Sequence, residues 1–273
     1  MENVSRRLCE LLCSTTIFYS LSLSHVAAAS FNEGFESPDN TIPQLQSEGW
    51  TFINNSNPLG IQTAGWVIDN DAPPLFANSG SNWIGTGFQS GTAGSGNVVS
   101  DWMILPTMTF QQAASLTFFT ISTGSNVFPD RLQVLLSLNG SSSNVGPAGS
   151  TSNFGDFTNV LLDINPNYST TYTTGSTDPN NGYPNLGASS AQKYVEYSSV
   201  PNLGKFAGDT GRIAFHYFLT NTLTQGSDIA VDDIAVSNIV AVPEPSTVTL
   251  LSGGSIVLGC CLFMRRRRRL LSF

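Results

Sequence analysis

Between its two ends the chain carries one histidine, no cysteine and an excess of carboxylates, and these facts bound its chemistry. Cys9, Cys13, Cys260 and Cys261 all lie near the termini. Thiol nucleophiles and Cys/His zinc sites, which need thiolates or several imidazoles converging, therefore cannot be built in the central region. A serine–histidine mechanism would rest wholly on His216, and such a mechanism also needs an adjacent nucleophile and an orienting group. In Arg212–Leu219 the apolar residues Ile213, Phe215, Tyr217 and Leu219 alternate, which places His216 on the opposite, surface side of a strand. No catalytic residue is assigned, and the chain is read as non-enzymatic.

Two other patterns fall short of chemistry. Asp69 and Asp71 have the residue type for glycoside hydrolysis, where two acids flank the bond. The Pro73-Pro74 behind them makes a turn the better reading. Gly85-Thr86-Gly87-Phe88-Gln89-Ser90-Gly91 has the glycine density of a phosphate loop, but the spacing is wrong and no helix follows, so a flexible loop is expected. Trp50, Trp66, Trp83 and Trp102 could stack on sugars, although such side chains are more often core. Trp102 shares an alternating face with Ile104. Trp83, in a Gly/Ser/Asn-rich stretch, is the candidate for ligand contact.

The elements that must position these residues are strands. Leu116–Ile121 is a β-branched and aromatic run. Leu132, Val134, Leu136 and Leu138 form one face of Arg131–Leu138, and Val160, Leu162 and Ile164 alternate in the same way. Polar connections at Gly80–Gly96, Gly140–Gly155 and Ser169–Asn185 read as surface loops, with the conformation of the insert around 165–192 left open. No convincing amphipathic helix appears between residues 31 and 240. Many short strands with such loops predict an all-β, two-sheet sandwich.

The ends carry export signals. Arg6 and Arg7 precede an apolar stretch from about Leu11 to Leu23, followed by Ala27-Ala28-Ala29, the parts of a signal peptide over residues 1–29 cleaved after Ala29. At the other end Pro243-Glu244-Pro245 leads into the uncharged segment 246–264 and then Arg265, Arg266, Arg267, Arg268 and Arg269. Nineteen residues at about 1.5 Å each span about 28 Å, a bilayer's hydrocarbon core. The arginines place the tail in the cytoplasm by the positive-inside rule. Between the two signals sixteen acidic residues face four basic ones, Arg131, Lys193, Lys205 and Arg212. Such a surface repels nucleic acid and favours cations or neutral partners.

Pro-Glu-Pro, one spanning segment and a terminal arginine cluster together resemble the PEP-CTERM sorting signal, here over residues 240–273. The resemblance implies an exported protein of a Gram-negative bacterium that makes extracellular polysaccharide. It further implies processing by a membrane-embedded exosortase that recognises Pro243, Glu244 and Pro245.

A second resemblance spans residues 30–239. Phe31-Asn32-Glu33-Gly34-Phe35-Glu36, then Glu48-Gly49-Trp50, Asp101–Pro106, Asp130–Ser137, Gly211–Tyr217 and Ile229–Ile234 follow one another as in the choice-of-anchor J domain. That domain is related to cleaved-adhesin and MAM-type jelly rolls. The likeness implies a jelly-roll β-sandwich with a binding or structural role. In related jelly rolls an ion ties the first strand to the last. The matching positions are Glu36, Asp232 and Asp233, a calcium site with a structural purpose, since calcium takes oxygen ligands alone. The alternative is that these acids bond to backbone amides. The chain is thus expected to be an exported cell-surface or extracellular-matrix protein, adhesive or structural, held in the cell envelope or released after processing. The alternative is a carbohydrate-binding module for extracellular polysaccharide.

Overall fold

The computed structural model describes residues 28–38, 40–70, 74–123, 127–185, 194–200 and 203–242. The signal peptide's residues 1–27, the sorting motif Pro243-Glu244-Pro245, segment 246–264 and Arg265–Arg269 lie outside the described residues. Among the described residues no helix is long and apolar enough to cross a membrane.

Eleven strands follow in chain order: β1 Ala29–Glu33, β2 Thr51–Asn54, β3 Val67–Asn70, β4 Asn82–Gly87, β5 Val99–Ile104, β6 Met108–Ser122, β7 Leu132–Ser137, β8 Asn159–Ile164, β9 Val195–Val200, β10 Thr210–Leu219 and β11 Asp228–Ala241. All named pairings are antiparallel. One sheet runs β3-β4-β11-β6-β9 with β1 also on β11, and the other runs β2-β5-β10-β7-β8. Thr210 and Gly211 of β10 pair with Thr109 and Met108 of β6, joining the sheets at one corner. The result is the sheet-rich sandwich that the alternation predicts.

The core lies between the sheets. Ile213, Phe215, Tyr217 and Leu219 all face it, as expected, and meet Leu116 and Phe118 of β6 and Ile229 and Val231 of β11. Phe118 and Phe215 touch edge-on across the layers, with centroids 4.9 Å apart and planes at 87°. That is the geometry favoured by the ring quadrupole.

Three local expectations are corrected, and one short helix joins the strands. Residues 82–87, read as loop, form β4. Gly85 is needed there, because a Cβ would lie 2.4 Å from the Trp83 ring and 2.6 Å from the Ile229 carbonyl oxygen. A glycine inside a strand marks such close approach, and so a glycine-rich run can be sheet. In β8 a register shift opposite Val134 and Leu135 turns Leu161 into the core and leaves Val160 56% exposed. A bulge breaks the period-two pattern in this way. A short helix, α1 Ile42–Ser47, opens with Thr41, whose hydroxyl accepts from the Gln44 amide, and with Pro43 in its first turn. At six residues it is too short to show a periodic apolar face, and only Leu45 is buried.

The third correction concerns the outer face of the β2-β5-β10-β7-β8 sheet. It does not meet solvent: Trp102, Ile104, Leu135 and Ala214 are covered by Val145 and Phe157 from the loop between β7 and β8, with Phe154 beside them. His216 lies under this second layer, fully buried.

Candidate functional site

The three acids singled out in the sequence, Glu36, Asp232 and Asp233, converge on one loop, residues 78–82. The backbone explains why. On one edge of β11, β4 pairs with Asp228–Val231 and β1 pairs with Ile234–Ile239, so the two strands lie end to end. Asp232-Asp233 occupies the gap between them. Here the β11–β6 register shifts, and Asp233 takes a left-handed backbone with φ 48°. The amides of the incoming loop have no ladder to join, and carboxylates take them instead.

Asp232 Oδ2 accepts from the amides of Asn78 (2.7 Å) and Ser79 (3.3 Å), and its Oδ1 accepts from the Asp233 amide at 2.8 Å. Asp233 accepts from Asn78 Nδ2 and Ser79 Oγ, both at 2.7 Å. Glu36 Oε1 accepts from the amides of Ser81 (2.6 Å) and Asn82 (2.8 Å), while Oε2 accepts from Asn82 Nδ2 at 3.1 Å. Gly80, at φ 67°, closes the loop, and a Cβ there would lie 2.2 Å from Glu36 Oε1. Asp232 is fully buried, and burial together with the neighbouring Asp233 pushes its pKa up to about 7 against the amide bonds.

As a metal centre the junction is mixed. Among the described residues, no group of three or more His, Cys, Asp or Glu is gathered closely enough to hold an ion. The acids grip the loop's N–H and O–H groups, the alternative weighed from the sequence. The oxygen donors still suit a hard cation, provided that Asn78 and Ser79 contribute beside the carboxylates.

Trp83 sits on β4 and is 8% exposed, packed against Leu75, Ile121 and Ala230. Its ring lies over Gly85 and is not an open stacking platform. Trp50, Trp66 and Trp102 are buried too. Asp69 is exposed at the end of β3, a strand rather than the turn expected.

His216 does meet a serine. Its Nε2 is 2.9 Å from Ser100 Oγ, and its Nδ1 is 3.1 Å from Gln133 Oε1. Gln133 Nε2 donates to Asp163 Oδ2 at 2.9 Å, which turns Oε1 toward the imidazole and makes Nδ1–H the donor. Trp102 Nε1 donates to Ser100 Oγ at 2.9 Å, and its ring stacks on the imidazole with centroids 3.8 Å apart. Burial and nearby Arg131 hold the His216 pKa well below the usual histidine value. The geometry resembles a nucleophile–base pair, yet Ser100 and His216 are sealed under Trp102 and Phe154, closed to a substrate.

Sequence reasoning missed two buried carboxylates at the end of the sandwich where β10 finishes and β11 begins. Asp101 on β5 takes the hydroxyls of Thr86 (2.6 Å), Ser56 (3.4 Å) and Ser90, tying one sheet to the other. Asp130 takes Tyr217 OH (2.6 Å), the Ser227 amide (2.8 Å), Ser227 Oγ (2.6 Å) and Ser122 Oγ. Burial pushes the Asp101 pKa up to about 7 and raises that of Asp130. In sequence they sit in Ser-Asp-Trp and Pro-Asp-Arg, with no sign that hydroxyls from distant segments surround them.

Comparison with known proteins addresses the chain's end directly. Residues 241–269 match the PEP-CTERM protein-sorting motif. This is the signal of an exported protein. A search of curated proteins finds no match. Among solved structures, the chain is similar to the K1 cleaved adhesin domain of Lys-gingipain from Porphyromonas gingivalis W83, at 17% identity and TM-score 0.46, covering 76% of this chain and 97% of that one. It is likewise similar to the K2 cleaved adhesin domain of Lys-gingipain, at 21% identity and TM-score 0.45, covering 76% and 99%. A third is TmCBM61 in complex with β-1,4-galactotriose, at 8% identity and TM-score 0.37, covering 75% and 97%.

Proposed function

We propose that the protein is a non-catalytic surface protein whose jelly-roll sandwich is exported, sorted through residues 240–273 by an exosortase-type enzyme, and displayed on the cell surface or released to the extracellular matrix in an adhesive or structural role. The observation that carries this reading is the sorting motif beginning where the last strand ends. Enclosure of His216 and Ser100 supports a non-catalytic role, since a hydrolase needs its nucleophile in reach of substrate. Intact-mass measurement on material outside the cell tests the reading. The mature chain should start at Ser30 and lack Arg265–Arg269; extracellular chains that keep the arginine tail would sink it. The carbohydrate-binding alternative predicts retention of a defined glycan on an array, and a blank array argues for the structural role.

Calcium is proposed as a structural ion at Glu36, Asp232 and Asp233. The support is electrostatic: two adjacent carboxylates and a third acid hold one five-residue loop through neutral donors, so their mutual repulsion is left for a cation to relieve. An ion bound by the native state alone at about a hundred times its Kd contributes about 2.7 kcal/mol. Millimolar calcium should raise the melting temperature and chelator should lower it. Asp233→Ala should abolish most of the response; Glu36→Ala is the weaker test, because Glu33 lies nearby in β1. Identical melting in calcium and in chelator would leave the loop amides as the sole partners of these acids.

A further inference from the structure

The sorting motif starts inside the folded domain. Its first matched residue, Ala241, is the last residue of β11, and the Val242 amide donates to the Thr107 carbonyl at 3.3 Å. Between Val242 and the uncharged segment at Ser246 stand only Pro243, Glu244 and Pro245. Three extended residues reach about 10 Å. If segment 246–264 spans the bilayer, as the sorting reading on which this inference rests requires, that reach is largely spent in the headgroup layer, about 5–7 Å deep. A membrane-embedded enzyme has little room to reach Pro243–Pro245 while the strand stays docked.

The end of β11 is built to let go. A register shift between Ser237 and Ile239 interrupts the β11–β6 ladder. Asn238 at φ 53° stands opposite Ala113 at φ 63°, and Asn238 Nδ2 donates to the Ala113 carbonyl at 3.0 Å. Beyond this bulge Ile239 pairs with Phe110, Val240 with Thr109 and Ala241 with Met108. On the other edge β1 reaches no further than the Ala29–Ile239 pair, so among the described residues Val240 and Ala241 are held in the ladder from one side only. Burial falls in step: Ile239 is 2% exposed and belongs to the core, whereas Val242 is 36% exposed. Cleavage after Ala29 would also remove the partner of Ile239 on that edge.

We propose that Val240–Val242 is a releasable strap: it peels from β6 as far as the Ile239 anchor to deliver Pro243–Pro245 to the processing enzyme, and strap opening sets the processing rate. Peeling three residues adds about 10 Å of reach, doubling what the motif residues supply. Strand ends held on one side open at far lower cost than the global fold, and cleavage of an open form follows its population.

The test follows loss of the tail from the full-length chain by pulse-chase in cells that carry the processing enzyme. A flexible Gly-Ser insertion of about six residues between Val242 and Pro243 makes strap release unnecessary and should speed processing about tenfold. A Val240→Cys/Thr109→Cys pair, cross-linked after export, should slow it by at least about tenfold, with reductant or the added insertion restoring the rate. An insertion without effect overturns the proposal whether or not the cysteines cross-link, while sorting stands because the tail is still removed. A cross-linked chain processed at the unmodified rate overturns it equally. If no chain loses its tail, the sorting reading falls and takes the strap with it.

Discussion

Lowering the pH from about 7.5 to 5.5 should stabilise the domain by roughly 2 kcal/mol, raising the melting temperature by about 4–8 °C. The origin is Asp101. In the fold its pKa is pushed up to about 7 by burial, against hydrogen bonds from Ser90, Thr86 and Ser56. In the unfolded chain an aspartate loses its proton near pH 4. Between these values the native state holds a proton that the unfolded state has lost, so stability falls as pH rises through the window and levels off above about 7. Asp232, pushed up to about 7, and Asp130, raised by burial, act in the same sense. His216 opposes them: it stays neutral in the fold, so below its unfolded pKa of about 6.5 acid favours the unfolded state. Several raised carboxylates outweigh one histidine over most of the range. Asp101→Asn should reduce the slope and stabilise the domain at pH 8, because Ser56, Thr86 and Ser90 can each turn to suit an amide. Thermal melts across pH decide it; an undiminished slope in the Asn variant would remove Asp101 as the cause.

Phe215→Ala should cost about 3–5 kcal/mol. The ring is fully buried at the centre of β10 and meets Phe118 from the opposite sheet edge-on, so its removal empties space between two layers that cannot both move inward. Denaturant titration should show the midpoint falling with little change in slope. Val160→Ala, on a side chain 56% exposed, should stay within about 0.5 kcal/mol. A Phe215 variant costing under about 1 kcal/mol would mean that the sheets do not pack through this contact.

Strand identity was legible wherever a strand faces the core once per pair of residues. Ile213, Phe215, Tyr217 and Leu219 announce β10, and the structure keeps all four in the core. Legibility ended where a face has two neighbours. His216 alternates away from the core as its neighbours require, but whether that side meets water depends on Val145, Phe154 and Phe157, far along the chain. It ended again at β4, where Gly85 makes room for an indole and so resembles a loop residue. The convergence of Glu36 with Asp232 and Asp233 was implied by the family resemblance alone; no local pattern could show that β1 and β4 lie end to end on β11. Asp101 and Asp130 were illegible because their partners are hydroxyls, and for Asp130 one amide, scattered over several segments.

That end-to-end arrangement has a mechanical consequence. For a domain tethered at residue 242 and held at the Ser122 end of β6, tension enters β11 along its axis. Antiparallel ladder bonds stand perpendicular to that axis, so the bonds to β6 are sheared together and share the force instead of opening one after another. On the opposite edge the ladder is spliced: among the described residues, the portion on β4 and the portion on β1 meet at Asp232-Asp233 and the carboxylate grip on residues 78–82. The splice is the discontinuity of that edge, and a proton on Asp232, which removes one of two adjacent like charges, steadies it under load.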